Sequence, residues 1–235
     1  RGRGDEIRVN PLSYQEFCSV YGEDKRNAWR DYFTFGGMPL VLAQKTSEDK
    51  SRYLHTLLDK TYLDDIMSRY NIVNKKNVLD DLLDIVSSSV GSLTNPSKIQ
   101  KTFASVKGTD ISDDTISRYL DYFMDAFLLY RAKRYDVKGR KYIGSPMKYY
   151  YSDVGLRNAR LNFRQQEENH IMENLIYNEL RVREFDVDVG IVTMNFRDES
   201  GKSKRMQHEV DFVANRGSQR YYIQSAFAIP DEQKR

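Results

Sequence analysis

The sequence predicts an α+β protein built from three consecutive modules. The first third of the chain carries apolar residues at helical spacing, the middle third predicts three helices and then two strands, and the last third predicts one helix followed by three strands. A chain of 235 residues is long enough for several modules with apolar cores. We therefore expect a helical module at residues 1–74, a second module at 75–145 and an α/β module at 146–235.

The first module is predicted from helix boundaries and apolar stripes. Ser13 and Glu16 have the spacing of a capping box, which opens a helix. A second helix around Trp29 is predicted to end at the pair Gly36-Gly37, and Ser47 is predicted to cap a long third helix. Aromatic residues at these spacings are typical of packing, so this segment predicts a helical bundle.

The middle module has the outline of a winged helix. Apolar periodicity predicts helices over 78–90, 97–106 and 112–126, and two strand-like runs follow at 127–135 and 141–143. Three helices followed by a hairpin is the order of elements in a winged helix-turn-helix. We expect the last of the three helices to take the place of the recognition helix.

Basic residues on this module predict contacts with the phosphates of double-stranded DNA, with an affinity that falls as salt rises. The predicted DNA-binding residues are Arg118, Arg131, Lys133, Arg134, Lys138, Arg140 and Lys141. Asp113 and Asp114, at the start of the last helix, favour a different interpretation, because their charge would face the DNA. The alternative is therefore a module of the same fold that docks a protein.

The last module places polar side chains on successive predicted elements. A predicted helix carries Glu173, and strand-like runs at 187–196, 208–215 and 220–227 place Asp211 on the second strand and Gln224 on the third. This order of parts resembles a metal-dependent nuclease of the restriction-endonuclease type, PD-(D/E)xK. Oxygen ligands of this kind hold Mg²⁺ beside a phosphate. Glu173 and Asp211 are the predicted metal ligands, and Glu209 is a substitute ligand on the same strand face as Asp211.

The lysine that completes such a site is missing from the expected position. It should lie two residues after Gln224, where it would offset the charge that develops in the transition state, but Ala226 stands there. No other lysine lies between Met206 and Asp231 or on the preceding helix. We therefore expect Glu173, Asp211 and Gln224 to form a vestigial catalytic site. The enzyme alternative is an active Mg²⁺-dependent DNase.

Composition sets outer limits on the function. The formal net charge is only +3, so local clusters and not the whole chain must carry any argument for nucleic-acid binding. Cys18 is the single cysteine, which excludes an intramolecular disulfide and a cysteine-based zinc site. No apolar run approaches the length of a membrane span. We expect a cytoplasmic protein without a membrane partner.

Several short motifs follow one another in a fixed order along the chain: Gly2-Arg3-Gly4, Ile7 to Tyr14, Glu16-Phe17, Gly36-Gly37-Met38-Pro39, Thr115 to Leu120, Phe127 to Leu129, Tyr150 to Arg157, Glu173-Asn174, Tyr177 to Leu180 and Glu209 to Phe212. Together they resemble the carboxy-terminal portion of a widespread group of prokaryotic AAA-type (P-loop) ATPases that end in a domain of unknown function. The resemblance covers nearly the whole chain. Each motif is common by itself, and their shared order makes the match specific.

The resemblance implies a larger protein than the present chain. Members begin with an ATPase core, yet no Gly-x-x-x-x-Gly-Lys-Ser/Thr phosphate loop occurs here, so ATP is expected only in the absent amino-terminal core. By the same resemblance, residues 1–74 would be the remnant of a helical ATPase lid, and the nuclease-like domain would be incomplete at its C-terminus. We expect a nucleic-acid-engaging, regulatory part of an ATPase whose partners are DNA and its own ATPase core. The interaction alternative is protein docking or homo-oligomerisation without DNA binding.

Overall fold

The computed structural model describes residues 4, 7–22, 24–73, 75–108, 110–164, 167–197 and 203–226. Gly2, Arg3, Asp231 and the last position of the predicted strand at 220–227 lie outside these residues.

The amino-terminal segment is helical, as predicted. Helices α1 (Tyr14–Tyr21) and α2 (Lys25–Phe35) precede a short 3₁₀ turn at Pro39–Val41. Both halves of the Ser13–Glu16 capping box are formed. A continuous helical run then comprises α3 (Ser47–Thr56), a π-helical stretch (Leu57–Leu63) and α4 (Asp64–Arg69). Its side-chain cap is Thr46 and not the predicted Ser47, because the Thr46 hydroxyl accepts the N–H of Asp49.

Three helices and a hairpin follow in the predicted order. Helices α5 (Lys76–Ser88), α6 (Pro96–Lys107) and α7 (Asp113–Asp125) lead to strands β1 (Leu129–Asp136) and β2 (Lys141–Tyr151). Asn95 caps α6 and Ser112 caps α7 through their side chains. Strand β2 is much longer than the predicted run at 141–143, because it continues through the apolar Tyr149–Tyr151 stretch.

The last segment contains two helices and three strands. Helix α8 (Val154–Arg160), which apolar periodicity does not predict, precedes α9 (Glu168–Val182). Strands β3 (Asp186–Arg197), β4 (Ser203–Arg216) and β5 (Gln219–Ile223) then run in sequence. The predicted helix and three strands of this segment are thus confirmed.

All five strands form one mixed sheet in the order β2-β1-β3-β4-β5. Neighbouring strands are antiparallel except β1 and β3, which pair in parallel. The α+β class is therefore confirmed. The hairpin that the sequence assigns to a winged helix shares this sheet with the strands assigned to a nuclease-like unit, and the predicted boundary after Ser145 falls within β2. The division into three modules stays a prediction.

One apolar core connects the segments. Leu58 of the N-terminal helices, Phe123 of α7 and Phe212 of β4 belong to the same cluster of buried residues. A smaller cluster joins Phe17 and Tyr32 to Ile171 of α9. Among the described helices, none combines the length and the hydropathy that crossing a membrane requires. Helix α9 packs against β2, β3 and β4, beside the predicted site.

Candidate functional site

A buried lysine lies among the predicted carboxylates. The Lys148 Nζ of β2 is 2.8 Å from Glu173 Oε1, 2.5 Å from Glu209 Oε1 and 4.0 Å from Asp211 Oδ1. The Lys148 side chain is only 3% exposed, whereas Glu209 is 31% exposed. The site is therefore an ion cluster that is closed on its inner side and reaches solvent through Glu209. We call these four residues the Lys148 cluster.

Tyr150 holds Glu173 from the same strand. Because side chains alternate along a strand, Lys148 and Tyr150 project to the same face of β2. The Tyr150 hydroxyl donates to Glu173 Oε1 at 2.6 Å, and the ring of Tyr150 stacks on Tyr177 of α9 with 4.3 Å between centroids. One oxygen of Glu173 thus accepts both an ammonium and a phenol donor, so two hydrogen bonds from β2 fix this carboxylate.

A β-bulge brings Asp211 to this face. Asp188 pairs with Val213 and Gly190 with Val210, so three steps along β4 oppose two steps along β3. The extra residue lets consecutive side chains of β4 project to one face. Asp211 approaches Lys148, while the adjacent Phe212 contacts Tyr150 and Tyr177. Regular alternation would have separated them.

Residues after β5 bind the other oxygen of Asp211. The Gln224 side-chain amide and the Ser225 backbone N–H both donate to Asp211 Oδ2, each at 2.7 Å. Gln224 therefore faces Asp211, as predicted, but its N–H group makes the contact and not its carbonyl oxygen. Ala226 is exposed and places no charge in the site.

Opposing effects set the ionisation of the central pair. Burial by itself lowers the pKa of Lys148, but the charges and hydrogen bonds of Glu173 and Glu209 outweigh it and raise the pKa above its usual range. Burial raises the pKa of Glu173, and the nearby ammonium of Lys148 offsets part of that shift. Lys148 is therefore charged at neutral pH, and Glu173 depends on it for compensation.

This arrangement does not fit a metal ion. Mg²⁺ binds oxygen ligands at about 2.0–2.1 Å in an octahedral shell, which requires the carboxylates to converge on one point. Within the described ranges, no three Asp, Glu, His or Cys side chains are placed to hold a metal. The space between Glu173 and Glu209 is spanned by the Lys148 ammonium. As arranged here, a cation of the protein itself occupies the centre of the acidic cluster.

The structure brings together Glu173, Asp211, Gln224 and Glu209, as the sequence predicts, and adds Lys148, which the sequence analysis missed. A replacement lysine was sought only on α9 and in the segment after Met206. Lys148 lies on β2, which precedes both in the chain. The available signal was the alternation of Lys148 and Tyr150 on a strand. That signal could not show the pairing of β2 with a sheet that also contains β4.

The predicted DNA-binding residues divide between two environments. Lys133, Lys138, Arg140 and Lys141 are exposed on the hairpin, and Arg118 is exposed on α7. Arg131 is also exposed, and its Nη1 lies 3.8 Å from Asp121 Oδ1 of α7. Arg134 is 8% exposed, and its guanidinium donates to Ser145 O at 3.4 Å and Gln207 Oε1 at 3.5 Å. The structure therefore separates Arg134 from the basic surface, because it lies on the opposite face of β1 from Lys133.

Comparison with known protein families places this fold in a defined group. Residues 26–167 match the family described as "Domain of unknown function (DUF8612)". The match covers more than half of the 235 residues. The chain belongs to this family. The matched part contains Lys148 and Tyr150, whereas Glu173, Glu209 and Asp211 follow it, so the Lys148 cluster combines a DUF8612 strand with later elements.

Two curated proteins are similar to the DUF8612 chain over almost all of its length. An uncharacterized protein of Haemophilus influenzae is 33% identical over 236 residues, which is 98% of this chain and 55% of that protein. An uncharacterized protein of Methanocaldococcus jannaschii is 26% identical over 248 residues, which is 100% of this chain and 52% of that protein. The chain thus spans about half the length of the curated relatives it matches.

Two motifs in the DUF8612 segment contact each other. The buried carboxylate of Asp153 accepts the backbone N–H of Gly37 at 2.6 Å and that of Leu156, in the first turn of α8, at 3.2 Å. Gly36 has φ 73°, and a Cβ there would overlap the Asp153 carboxylate. Gly36-Gly37 and the segment around Asp153 therefore form one structural joint between the N-terminal helices and β2.

Proposed function

We propose that this chain is the nucleic-acid-engaging, regulatory part of an AAA-type ATPase and that its nuclease-like site is closed and does not cleave. The observation that carries the proposal is the ammonium of Lys148 at the centre of the acidic cluster, in contact with Glu173 and Glu209.

An ammonium and a metal ion make different contributions at such a position. The ammonium offsets the charge of the carboxylates, which supports the fold around them. It has no vacant coordination position, so it cannot bind a phosphate oxygen and an attacking water together, as a metal ion does. Lys148 is also almost fully buried and fixed by two carboxylates. These properties favour a site that keeps the nuclease-like arrangement of carboxylates but does not catalyse metal-dependent cleavage of nucleic acid.

Exposed cations support the nucleic-acid part of the proposal. Lys133, Lys138, Arg140 and Lys141 lie on or beside one exposed end of the β1–β2 hairpin, where they can approach a polyanion. The assignment to an ATPase rests on the resemblance of the motifs. The relatives are about twice as long as this chain, which leaves room for an ATPase core in them.

A specific observation also favours a second function. Lys148 supplies the positive charge that the sequence lacks after Gln224, so the same cluster is compatible with an active Mg²⁺-dependent DNase whose side chains rearrange when substrate binds. A third candidate is protein docking or oligomerisation, which the acidic start of α7 at Asp113 and Asp114 favours.

A cleavage assay with matched lysine variants separates the first two functions. The chain, Lys148→Met and Lys50→Met would each be incubated with duplex and single-stranded DNA in Mg²⁺ or Mn²⁺, and the products run on a denaturing gel. Lys50 is the matched control, because it is buried and its Nζ lies 2.5 Å from Asp31, away from the Lys148 cluster. The proposal predicts intact DNA for all three proteins. Metal-dependent cutting by the unmodified chain that Lys148→Met abolishes would establish the DNase instead.

Thermal unfolding tests the role of the ammonium directly. Each lysine variant is expected to lose about 3–5 kcal/mol, because each leaves a buried carboxylate unpaired. In Lys148→Met, Mg²⁺ or Mn²⁺ should then raise the melting temperature, since three carboxylates remain without a cation. The unmodified chain and Lys50→Met should show no such response. Equal stabilisation of all three proteins by metal would refute the idea that Lys148 replaces a cation.

A further inference from the structure

Two neighbouring tyrosines lie between two cationic side chains on the face of the sheet opposite the Lys148 cluster. Lys133 Nζ lies 5.8 Å from the ring centroid of Tyr142, whose ring is 5.5 Å from that of Tyr135. On the other side of Tyr135, the Arg220 guanidinium lies 5.2 Å from the ring centroid. We call these four residues, from β1, β2 and β5, the tyrosine–cation stripe.

Strand alternation separates the stripe from the Lys148 cluster. On β1, the buried Ala132 pairs with Lys148, so Lys133 and Tyr135 project to the opposite face. On β5, Tyr221 contacts Phe185, which follows α9, so Arg220 projects away from α9. The two surfaces can therefore be altered independently.

Hydrogen bonds at the edges orient the side chains of the stripe. The Tyr142 hydroxyl donates to Asp188 Oδ2 at 3.0 Å, and Arg220 Nε donates to Asn215 Oδ1 at 2.7 Å. Despite these contacts, Tyr142 is 61% exposed. A ring that is already oriented and still exposed can bind a planar group with little further loss of side-chain entropy.

The charge around the stripe is complementary to an anion. Within the described ranges, neither Lys133 nor Arg220 forms a salt bridge. The adjoining turn adds three exposed cations: Lys138, Arg140 and Lys141. Three carboxylates lie nearby. Asp136 accepts backbone N–H groups of the turn, and Asp188 accepts the Tyr142 hydroxyl and interacts with the charges of Lys133 and Arg220. Asp186 also lies close enough for its charge to raise the pKa of Tyr142 and of Asp188. Cations therefore outnumber carboxylates along the surface.

We infer that the tyrosine–cation stripe binds single-stranded nucleic acid, with bases stacked on Tyr142 and Tyr135 and phosphates beside Lys133 and Arg220. An exposed tyrosine beside a half-buried one, with a cation at each end, suits unpaired bases, since base stacking needs a free base face and the cations follow the backbone. Bases in a duplex are stacked on each other and offer no such face. The inference rests on the proposed function, because it names the partner that the proposed function leaves open.

The same tyrosines also form a cross-strand pair, and such pairs stabilise sheets without any ligand. A purely structural pair and a binding stripe make different predictions for the exposed ring. Removing the Tyr142 ring would lower only stability in the first case, whereas in the second it would also weaken binding of single strands.

Fluorescence anisotropy with labelled oligonucleotides tests the inference. The probes are an oligothymidylate, an oligouridylate and a hairpin duplex, which distinguish DNA from RNA and single strands from double strands. The proteins are the chain, Tyr142→Ala, Tyr142→Phe and the control Tyr221→Ala, which removes a 44% exposed tyrosine from the opposite face of the sheet. Circular dichroism and thermal melting would establish that each variant is folded.

We expect both single strands to bind more tightly than the duplex. Tyr142→Ala should weaken single-strand binding by roughly tenfold, which corresponds to the loss of one stacked base. Tyr142→Phe, which keeps the ring, and Tyr221→Ala should bind as the unmodified chain does. Tighter binding of the duplex, or equal binding by Tyr142→Ala, would overturn the stripe while nucleic-acid engagement stands. Failure to bind any probe at low salt would overturn the proposed function itself.

Discussion

Asp153 should make the stability of the protein depend on pH. Its carboxylate is buried beneath the Gly36-Gly37 turn and caps α8, and no described cation forms a salt bridge with it. Burial raises its pKa from 3.8 to about 6, although backbone N–H groups that bind the carboxylate oppose the shift. The perturbation we consider is Asp153→Asn, which keeps the shape of the side chain and removes its titration.

The sign and size of the effect follow from the shift. Between its unfolded pKa of 3.8 and its folded pKa of about 6, Asp153 holds its proton more tightly in the folded protein. Its contribution to stability is therefore fully present below 3.8 and is lost as pH rises through about 6. A shift of about two units corresponds to about 3 kcal/mol. Asp153→Asn lacks this dependence, and its amide also cannot accept both the Gly37 and the Leu156 N–H.

Urea unfolding followed by circular dichroism, at pH values below 3.8 and above 6, measures this contribution. The difference in unfolding free energy between the unmodified chain and Asp153→Asn should shrink by about 3 kcal/mol from the acidic to the neutral end. Taking the difference cancels other groups, including Glu173, because both proteins contain them. Parallel pH profiles for the two proteins would refute the argument, since they would show that Asp153 does not bind a proton more tightly on folding.

Two further perturbations test the hydrogen bonds between α9 and the end of β2, and the basic residues of the hairpin. Asn174 accepts a backbone N–H and donates to a backbone C=O at the end of β2, so Asn174→Ala should cost roughly 2–4 kcal/mol in urea unfolding. Asn178→Ala, which removes one such bond, should cost about half as much, and equal losses would contradict this account. The double variant Lys138→Glu/Arg140→Glu should bind duplex DNA more weakly, with a salt dependence that is shallower by about 0.9 for each phosphate that the variant no longer neutralises. Lys45→Glu, an exposed control before α3, should bind as the unmodified chain does.

Local signals predict the elements of this fold better than they predict its connections. The Ser13–Glu16 capping box and the apolar periodicity of α5, α6 and α7 act within a few residues, so the sequence contains the whole signal. The parallel pairing of β1 with β3 joins residues more than fifty positions apart, such as Arg134 and Val189. Nothing local distinguishes a hairpin that stands alone from one that continues a sheet.

The same distinction between local and long-range signals applies to the candidate site. Glu173, Asp211 and Gln224 lie on three successive elements, so the order of parts predicts that they come together. The register shift opposite Gly190, which turns Asp211 and Phe212 to one face, has no signal in a regular strand pattern. Lys148 is separated from Glu173 by α8 and lies on a strand whose predicted end came too early. Both misses arise from long-range pairing.

The basic hairpin shows why a cluster in sequence is not a surface in the structure. Lys133 and Arg134 are adjacent in the chain, and each counts equally toward a cluster of positive charge. The pleat of β1 sends them to opposite faces, so that Lys133 meets an exposed tyrosine and Arg134 is buried beside Gln207. Arg220 lies on β5, far from the hairpin in sequence, yet its guanidinium lies over the ring of Tyr135 on β1. Strand register thus decides which cations are accessible to a nucleic acid. A charge-reversal series that ignored register would include Arg134, a buried residue whose replacement would destabilise the fold, among variants of exposed residues.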